Sequence, residues 1–319
     1  MADKIKNTAE DVKFRTSIGG QALIEGILMR GPKKQAIVVR TPEKLIVKED
    51  ELKLIKDKYP VLGWPIIRGV VAFLSSMING VKALTFSASC MPEEEQEEPS
   101  KFDLWVQKHF SSETADKIII GMAVVIGICL SVGLFILLPT ILTGALNGVI
   151  ESRLLKNLIE GIVRIIVFLL YMWLATKMKE IKRVWQYHGA EHKTIFCYEK
   201  QLPLTVENAR MQSRFHPRCG TSFLFIVMIV SILVFAVVNW SNVWIRMVLR
   251  IVLLPVVVGI SYEIIKWAGR HDNVCTRIVS APGKALQHLT TQEPDDSMLE
   301  VAIAALKLVI PETEGEDTW

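Results

Sequence analysis

The sequence predicts a mainly α-helical, polytopic membrane protein with four transmembrane helices, amphipathic interfacial helices and a small cytoplasmic β-hairpin element. Its mean hydropathy is positive, at +0.33, because the chain contains long apolar runs. Residues 118–138 and 221–245 contain no charged residue, and each can cross a bilayer core, which requires about 20 helical residues. Because backbone groups in lipid must bond to one another, such spans are expected to be helices.

The chain before the first span is predicted to be cytoplasmic. Residues 1–17 are polar and mixed in charge, so we predict no secretory signal peptide. Residues 18–31 are apolar and framed by glycines, which favours a short packed or interfacial helix; alternatively, Glu25 joins the polar site described below. Residues 35–49 contain two β-rich runs around Thr-Pro-Glu-Lys. Because proline presets a turn, this pattern predicts a hairpin.

Residues 61–91 are apolar, but Arg68 and Lys82 leave only a short uncharged stretch between them. This pattern predicts an amphipathic helix that lies on the inner leaflet or re-enters it. The predicted segments are a cytoplasmic N-terminal segment with a β-hairpin (1–60), an amphipathic or re-entrant helix (61–91), an acidic linker and pre-membrane segment (92–117), a first transmembrane hairpin (118–176), a cytoplasmic His/Cys loop (177–220), a second transmembrane hairpin (221–267), and a cytoplasmic C-terminal amphipathic helix with an acidic tail (268–319).

The second and fourth predicted spans, residues 162–176 and 247–265, carry Arg164, Arg250 and Glu263 near their ends. Long charged side chains at such positions are expected to reach the membrane interface. The 177–220 loop is rich in lysine and arginine, so the positive-inside rule predicts that it is cytoplasmic. Both termini then face the cytoplasm, and the expected location is the inner membrane.

The residues at 187–197, YHGAEHKTIFC, contain the first half of a candidate metal site. In a helix, His188, Glu191 and His192 share one face, and two imidazoles one turn apart can hold one ion. His-x-x-Glu-His is the inverted zincin pattern, in which the glutamate acts as general base toward metal-bound water. Gly189 lowers helix propensity by about 1 kcal/mol, so it marks either a close approach or a stretch that is not helical.

The second half is His216 and Cys219, in the sequence HPRCGTS at 216–222. Both halves flank the same loop, and a short helix capped by Thr205 is predicted between them. The predicted ligands are His188, His192, His216 and Cys219, and zinc is the divalent metal that such donors suit best. Four protein ligands would make a closed structural site. Three would leave a position for water, with Glu191 as the catalytic base, and the sequence leaves both readings open.

Other residues are secondary candidates for this site. Cys197, Glu263 and His271 are candidates for a secondary role, and a Cys219 nucleophile with a His216 base is a weaker alternative. Because a reducing compartment disfavours disulfides, the five cysteines are expected to be thiols or ligands. No basic stretch is interleaved with aromatic residues, so we expect no nucleic-acid partner.

Several ordered motifs resemble the YqhQ-type family of bacterial membrane proteins. They are GGQALIEGILMRG (19–31), Arg68-Gly69, HGAEHKTI (188–195), HPRCGTSF (216–223), TTQEPD (290–295) and EVAIAAL (300–306). The resemblance implies a polytopic inner-membrane protein with a cytoplasmic His/Cys region and a predicted metal-dependent activity. It implies no particular reaction.

Two functions from different classes are consistent with these patterns. The first is a membrane-embedded zinc-type hydrolase that acts at the cytoplasmic face. The alternative is a non-catalytic scaffold or assembly factor with a structural metal, in which the amphipathic segments 61–89 and 295–310 recruit a membrane protein or the translocation machinery. Both readings include the lipid bilayer as a partner and leave homo-oligomerisation open. A transporter is less favoured, because its spans would carry more polar residues near the bilayer midplane.

Overall fold

The computed structural model describes residues 12–52, 59–92, 100–145, 150, 152–237, 243–271, 273–313 and 315–318. The chain divides into two compact units. The first contains Met1–Met91, Met172–Val230 and Pro255–Trp319, and the second contains Pro92–Tyr171 and Ser231–Leu254. All of the predicted site residues lie in the first unit.

The first unit contains a four-stranded antiparallel sheet in the order β1-β2-β3-β4. The strands are β1 Gly19–Leu23, β2 Gly26–Arg30, β3 Lys34–Arg40 and β4 Leu45–Glu51. The β3–β4 pair confirms the hairpin predicted at 35–49. The helix predicted at 18–31 is wrong, because this stretch is the β1–β2 hairpin, and Glu25 takes a left-handed conformation (φ 48°) at its turn.

The central strands of this sheet are buried on both faces. Ile27 and Met29 belong to one apolar cluster, while Leu28 and Ile37 belong to another on the opposite face. A strand buried on both faces reads as a continuous apolar run, because the usual alternation of apolar and polar residues is lost. This double burial explains why the sequence pattern suggested a helix.

The chain is mainly helical. The described helices are α1 Ile67–Ser89, α2 Lys101–His109, α3 Ser112–Val132, α4 Leu138–Gly144, α5 Arg153–Ala175, α6 Lys179–Glu199, α7 Val206–Arg210, α8 Gly220–Val237, α9 Val243–Arg270, α10 Val274–Thr290 and α11 Asp296–Val309. A π-helical turn at Gly133–Leu137 joins α3 to α4. Of the acidic linker predicted at 92–100, residues 93–99 lie outside the described part of the chain.

Four described helices are long and apolar enough to cross a membrane: Ile67–Ser89, Thr114–Gly144, Leu155–Ala175 and Met247–Arg270. Three of them correspond to spans predicted from the sequence. The fourth, α1, has the lowest mean hydropathy of the set, 1.4, and was predicted to be an interfacial helix. The predicted span 221–245 corresponds to a shorter apolar helix, Gly220–Ala236, and residues 238–242 lie outside the description.

Within the second unit, a charged cluster lies among apolar helices. Arg250 forms a two-pronged ion pair with Glu160, with one contact of 2.9 Å from Nη2 to Oε2, and the Thr140 hydroxyl lies 2.8 Å from Glu160 Oε1. Arg164 contacts the same carboxylate at 3.3 Å and donates to the Ser231 hydroxyl. The expectation that Arg164 and Arg250 extend to the interface is therefore wrong, because both are buried and paired.

The predicted His/Cys loop, 177–220, consists largely of helix α6 and the short helix α7. Thr205 caps α7 as predicted, with its hydroxyl accepting a hydrogen bond from the Asn208 N–H. The amphipathic C-terminal helix is also confirmed as α11, and Asp295 caps it. The apolar stripe of α11 packs against β2, β3 and α6, so the end of the chain completes the core of the first unit.

Candidate metal centre

Helix α6 is continuous through the HGAEH motif, so His188, Glu191 and His192 lie on one face as predicted. Gly189 allows a close approach: a Cβ atom at this position would lie 2.0 Å from the Gln292 carbonyl oxygen. Residues 290–292 can therefore lie directly against the helix. This contact brings the Thr290 carbonyl to the His188 ring.

Three of the four predicted ligands converge. His188, His192 and Cys219 each offer one ligand atom, and these atoms lie within 4.8 Å of one another. His188 Nε2 is 3.1 Å from Cys219 Sγ, and the centroids of the two imidazole rings are 4.4 Å apart. All three side chains are buried. We call His188, His192 and Cys219 the triad.

The backbone fixes the orientation of both imidazoles. His188 Nδ1 lies 2.8 Å from the Thr290 carbonyl, and His192 Nδ1 lies 2.5 Å from the Arg214 carbonyl. Because a carbonyl oxygen only accepts, each Nδ1 carries a proton and donates it, which leaves each Nε2 directed to the centre of the triad. His192 Nε2 is buried and has no hydrogen-bond partner among the described residues. Metal-ligating histidines are usually held in this way by their second nitrogen.

The position of the Arg214 carbonyl depends on a buried lysine. Lys193, next to His192 in α6, donates from Nζ to the carbonyls of Arg210 (3.0 Å) and Gln212 (2.9 Å). These two bonds hold the α7–α8 connection against α6. The loop that carries Arg214 is therefore anchored to the same helix that carries two members of the triad.

The triad has an unusual protonation equilibrium. Burial would raise the pKa of Cys219, but the adjacent His188 and His192 rings outweigh burial and hold the pKa well below the ordinary thiol value. Burial conversely lowers the pKa of His188, but the Cys219 sulfur outweighs it and raises that pKa to about 9. The thiolate, which is the metal-binding form of cysteine, is therefore favoured.

Glu191 lies beside the triad and is held by the sheet. Its Oε1 accepts a hydrogen bond of 2.9 Å from the Gly20 N–H in β1. Its Oε2 is buried and has no hydrogen-bond partner among the described residues. Burial raises the pKa of Glu191, and the nearby His188 and His192 only partly oppose this. Gly20 is needed for this contact, since a Cβ there would lie 3.0 Å from Glu191 Cδ.

His216 lies outside the triad. Its Nδ1 accepts from the Arg218 N–H at 3.4 Å, and its Nε2 is 3.3 Å from Glu199 Oε2. Gln287 bonds both its backbone N–H (2.8 Å) and its backbone carbonyl (2.7 Å). Burial lowers the pKa of His216 to about 4, so the ring is neutral near pH 7. Both ring nitrogens are engaged, and the residue braces the loop that carries Cys219.

The secondary candidates from the sequence also lie apart from the triad. Cys197 is buried, with its sulfur 3.5 Å from the Pro203 carbonyl. Glu263 forms an ion pair with Arg68, and His271 is exposed and bonded to the Trp267 carbonyl. Glu25, the other candidate from the sequence, is held by Arg183 and by the Tyr187 hydroxyl at 3.2 Å.

Sequence reasoning missed six residues that support the site: Gly20, Lys193, Glu199, Arg214, Gln287 and Thr290. Gly20 lies in a Gly-Gly pair, which is a detectable signal for a close backbone approach. Glu199, at the end of α6, carries a charge in an otherwise buried stretch, but its partners are 17 and 19 residues away. Thr290 acts through its backbone carbonyl, so its side chain gives no signal.

Comparison with known proteins agrees with the resemblance seen in the motifs. The family described as "Protein of unknown function (DUF1385)" matches residues 64–312. The chain is 35% identical over 298 residues to "Uncharacterized protein YqhQ" of Bacillus subtilis (strain 168), with 91% of each chain covered. No solved structure matches the chain. The chain therefore belongs to the DUF1385 family of proteins of unknown function.

Proposed function

We propose that this protein is a membrane-anchored metalloenzyme in which the triad holds one zinc ion and Glu191 is the general base of a hydrolytic reaction. One observation carries the proposal. Three ligand atoms converge within 4.8 Å, while both ring nitrogens of His216, the fourth predicted ligand, are bonded elsewhere. A site with three protein ligands leaves a coordination position for water, which is the arrangement of catalytic zinc.

The residues present fit a zinc ion. Two imidazole nitrogens and one thiolate form a donor set that zinc accepts readily. The unpartnered Nε2 of His192 and the low pKa of Cys219 both indicate groups prepared to bind a cation. Zinc would supply a single chemical effect here, which is to lower the pKa of a bound water to about 7.

The chain's own chemistry centres on Glu191. The Gly20 N–H holds Oε1, which leaves Oε2 to take a proton from an attacking water. The water oxygen adds to the carbonyl carbon or phosphorus of an ester, the bond to the leaving oxygen breaks, and Glu191 returns the proton to that oxygen. The reaction consumes only water. A carboxyl group with a raised pKa is well suited to both transfers near neutral pH.

Membrane attachment and orientation are part of the same proposal. The apolar helices α3–α5 and α9 would anchor the protein. The lysine- and arginine-rich segment that carries the triad would face the cytoplasm. The charged residues at the end of β4 also belong in water, because an exposed strand edge is not tolerated in lipid.

The scaffold alternative is less well supported by the packing. It requires that the amphipathic helix at 295–310 present its apolar stripe to a partner. In α11 this stripe is already covered, since Met298, Leu299 and Leu306 are fully buried in the core of the first unit. A structural zinc site would in addition need a fourth protein ligand.

The test is X-ray absorption spectroscopy and metal analysis of the full-length protein purified in detergent. We expect about one zinc per chain, coordinated by one sulfur, two imidazoles and one further light atom. His192→Ala and Cys219→Ser should lose the metal, whereas Glu191→Gln should retain it. His216→Ala is the matched histidine control and should also retain it. A first shell of one sulfur and three imidazoles would contradict the open site.

Catalysis requires a separate measurement. Chromogenic carboxylic and phosphoric esters should be hydrolysed by the zinc-loaded wild type. Glu191→Gln should lose this activity by about 100-fold or more while keeping its zinc, since general base catalysis contributes about 10²–10⁴-fold. Equal activity in the two proteins would rule out Glu191 as the base.

A further inference from the structure

A large cavity in the first unit reaches the triad. Its volume is about 1450 Å³, which exceeds the usual 300–1,000 Å³ of small-molecule pockets. Cys219 is one of its lining residues, together with Thr221, whose hydroxyl lies 3.2 Å from the Cys219 sulfur. The cavity therefore borders the candidate metal centre at Cys219.

One part of the cavity wall is apolar and comes from helices of the membrane-spanning type. Phe73, Met77 and Leu84 of α1, Phe223 of α8 and Ile265 of α9 line this part. Both α1 and α9 are long and apolar enough to lie in a bilayer. A hydrocarbon chain is the ligand group that such a wall accommodates at least cost.

The remaining wall is strongly basic. The cationic lining residues are Arg15, Arg30, Arg218, Arg277 and Lys284, and no described lining residue is aspartate or glutamate. Arg218 is paired with Glu199, and Arg15 and Arg277 also have interaction partners, so the positive charge offered to a ligand comes mainly from Arg30 and Lys284. The excess positive charge favours an anionic ligand group, with arginine especially suited to phosphate.

We propose that this cavity binds an anionic glycerophospholipid, with its phosphate near Arg30 and Lys284 and its acyl chains along the α1–α8–α9 wall. The inference rests on the proposed function, because it names a phospholipid ester as the substrate class of the triad centre. Three features carry it: the apolar wall, the one-sided charge, and the position of Cys219 on the lining. A soluble anion would use the basic wall but not the apolar one.

Binding can be measured with the full-length protein in detergent by native mass spectrometry and by the shift in unfolding temperature. The probes are dioctanoyl phosphatidylglycerol, dioctanoyl phosphatidylcholine and inorganic phosphate. We expect saturable binding of phosphatidylglycerol that weakens with added salt. Phosphatidylcholine should bind about tenfold more weakly, and millimolar phosphate should not displace the lipid.

Two pairs of substitutions locate the site. The double variant Arg30→Gln/Lys284→Gln should lower the affinity for phosphatidylglycerol about tenfold or more, because charge-assisted hydrogen bonds are lost. Lys34→Gln/Lys307→Gln removes two exposed charges outside the cavity and should leave the affinity unchanged. Ser76→Trp, which fills space beside the apolar wall, should weaken binding of the lipid.

The outcomes separate this inference from the proposed function. Equal affinity for the two lipids, displacement by phosphate, or equal effects of the two double variants would overturn the lipid site. Zinc content should be normal in the cavity variants. His192→Ala, which lies outside the cavity lining, should lose zinc but still bind lipid. Lipid binding without zinc in the wild type would instead overturn the metalloenzyme and leave the lipid site standing.

Discussion

His188 and His192 are oriented by carbonyl groups from two different segments, at Thr290 and Arg214. Neither carbonyl belongs to α6, so the geometry of the triad depends on how closely other parts of the chain approach the helix. At residue scale, the atoms that control the site are therefore largely backbone atoms, and small changes in packing should alter metal binding.

Gly189→Ala tests this dependence. The new Cβ would lie 2.0 Å from the Gln292 carbonyl oxygen, so the 290–292 segment must move, and its bond to His188 should weaken. We expect a loss of about 1–3 kcal/mol in stability, as for overpacked cores, and a clear drop in bound zinc. Thermal unfolding and metal analysis measure the two effects.

The control for this substitution is Gly121→Ala, also in the middle of a helix. A Cβ there meets no atom within 4 Å, so the variant should be as stable as the wild type or slightly more stable. Normal zinc content and unfolding temperature in Gly189→Ala would contradict the prediction.

The Glu199 carboxylate gives a pH prediction. Burial opposes its ionisation, but His216 and Arg218 outweigh burial, so the pKa of Glu199 is lowered in the folded protein. A lowered pKa contributes stability above the unfolded pKa, which is near 4.3, and this contribution is lost as the pH falls through the folded value. Glu199→Gln should therefore destabilise strongly at pH 7, and the difference from the wild type should shrink in acid.

The measurement is the unfolding temperature of both proteins between pH 7 and the lowest pH at which they remain soluble. Glu207→Gln, an exposed glutamate in α7, should show no comparable difference at any pH. If the difference in unfolding temperature between Glu199→Gln and the wild type stayed constant across this pH range, the prediction that Glu199 is ionised in the folded protein would be refuted.

At the scale of residues, the sequence could predict that His188, Glu191 and His192 share one face, because i,i+3 and i,i+4 spacings on a helix are geometric facts. It could not predict that Cys219 joins the two α6 histidines while His216 does not. That distinction depends on Glu199 and Gln287, which reach His216 only through the tertiary fold.

Among the elements, helix α1 is apolar enough to cross a membrane, but part of it is packed against the β-sheet and is therefore not available to contact lipid. Its C-terminal part packs on the sheet, where Ala83 joins Leu23 and Val39, and the Lys48 ammonium lies 5.1 Å from the Phe86 ring centroid. Only about the first twelve residues are free to enter lipid. At 1.5 Å per residue they reach about 18 Å, which is less than the 30 Å of the hydrocarbon core.

We therefore predict that both ends of α1 are on the same side of the membrane. In a cysteine-free background, Val61→Cys and Ser89→Cys should both resist a membrane-impermeant maleimide applied to intact cells. Ser152→Cys, between α4 and α5, is the positive control and should be labelled. Labelling of Val61→Cys from outside would show that α1 crosses.

The charged cluster of the second unit should make a large contribution to the stability of the fold. Glu160 compensates two buried arginines, Arg164 and Arg250. Its replacement by glutamine should cost about 3–5 kcal/mol, because it leaves buried positive charge unpaired. Unfolding in detergent measures this loss. Glu180→Gln, at an exposed position in α6, is the control and should have little effect; equal stability of the two variants would disprove the prediction.

At the scale of the whole molecule, the hydrophobic pattern was sufficient to predict a mainly helical chain and three of the four described helices that are long and apolar enough to cross a membrane. It could not predict that the first unit is assembled from three separate stretches of the chain. Thr16 bonds Asp317, 301 residues further along the chain, at 2.5 Å, and α11 packs against β3, which lies far earlier in the sequence. Such long-range contacts depend on which surfaces are complementary in three dimensions. The periodicity of apolar residues along the sequence carries little information about them.

The carbonyl that holds the His188 ring lies 102 residues further along the chain. A ribosome must therefore translate far beyond the HGAEH motif before that histidine has its acceptor. Until then, the His188 ring lacks the carbonyl that orients it toward the Cys219 sulfur. On the proposed function, zinc loading would therefore follow translation of Thr290, and a nascent chain stalled before that residue should carry no zinc.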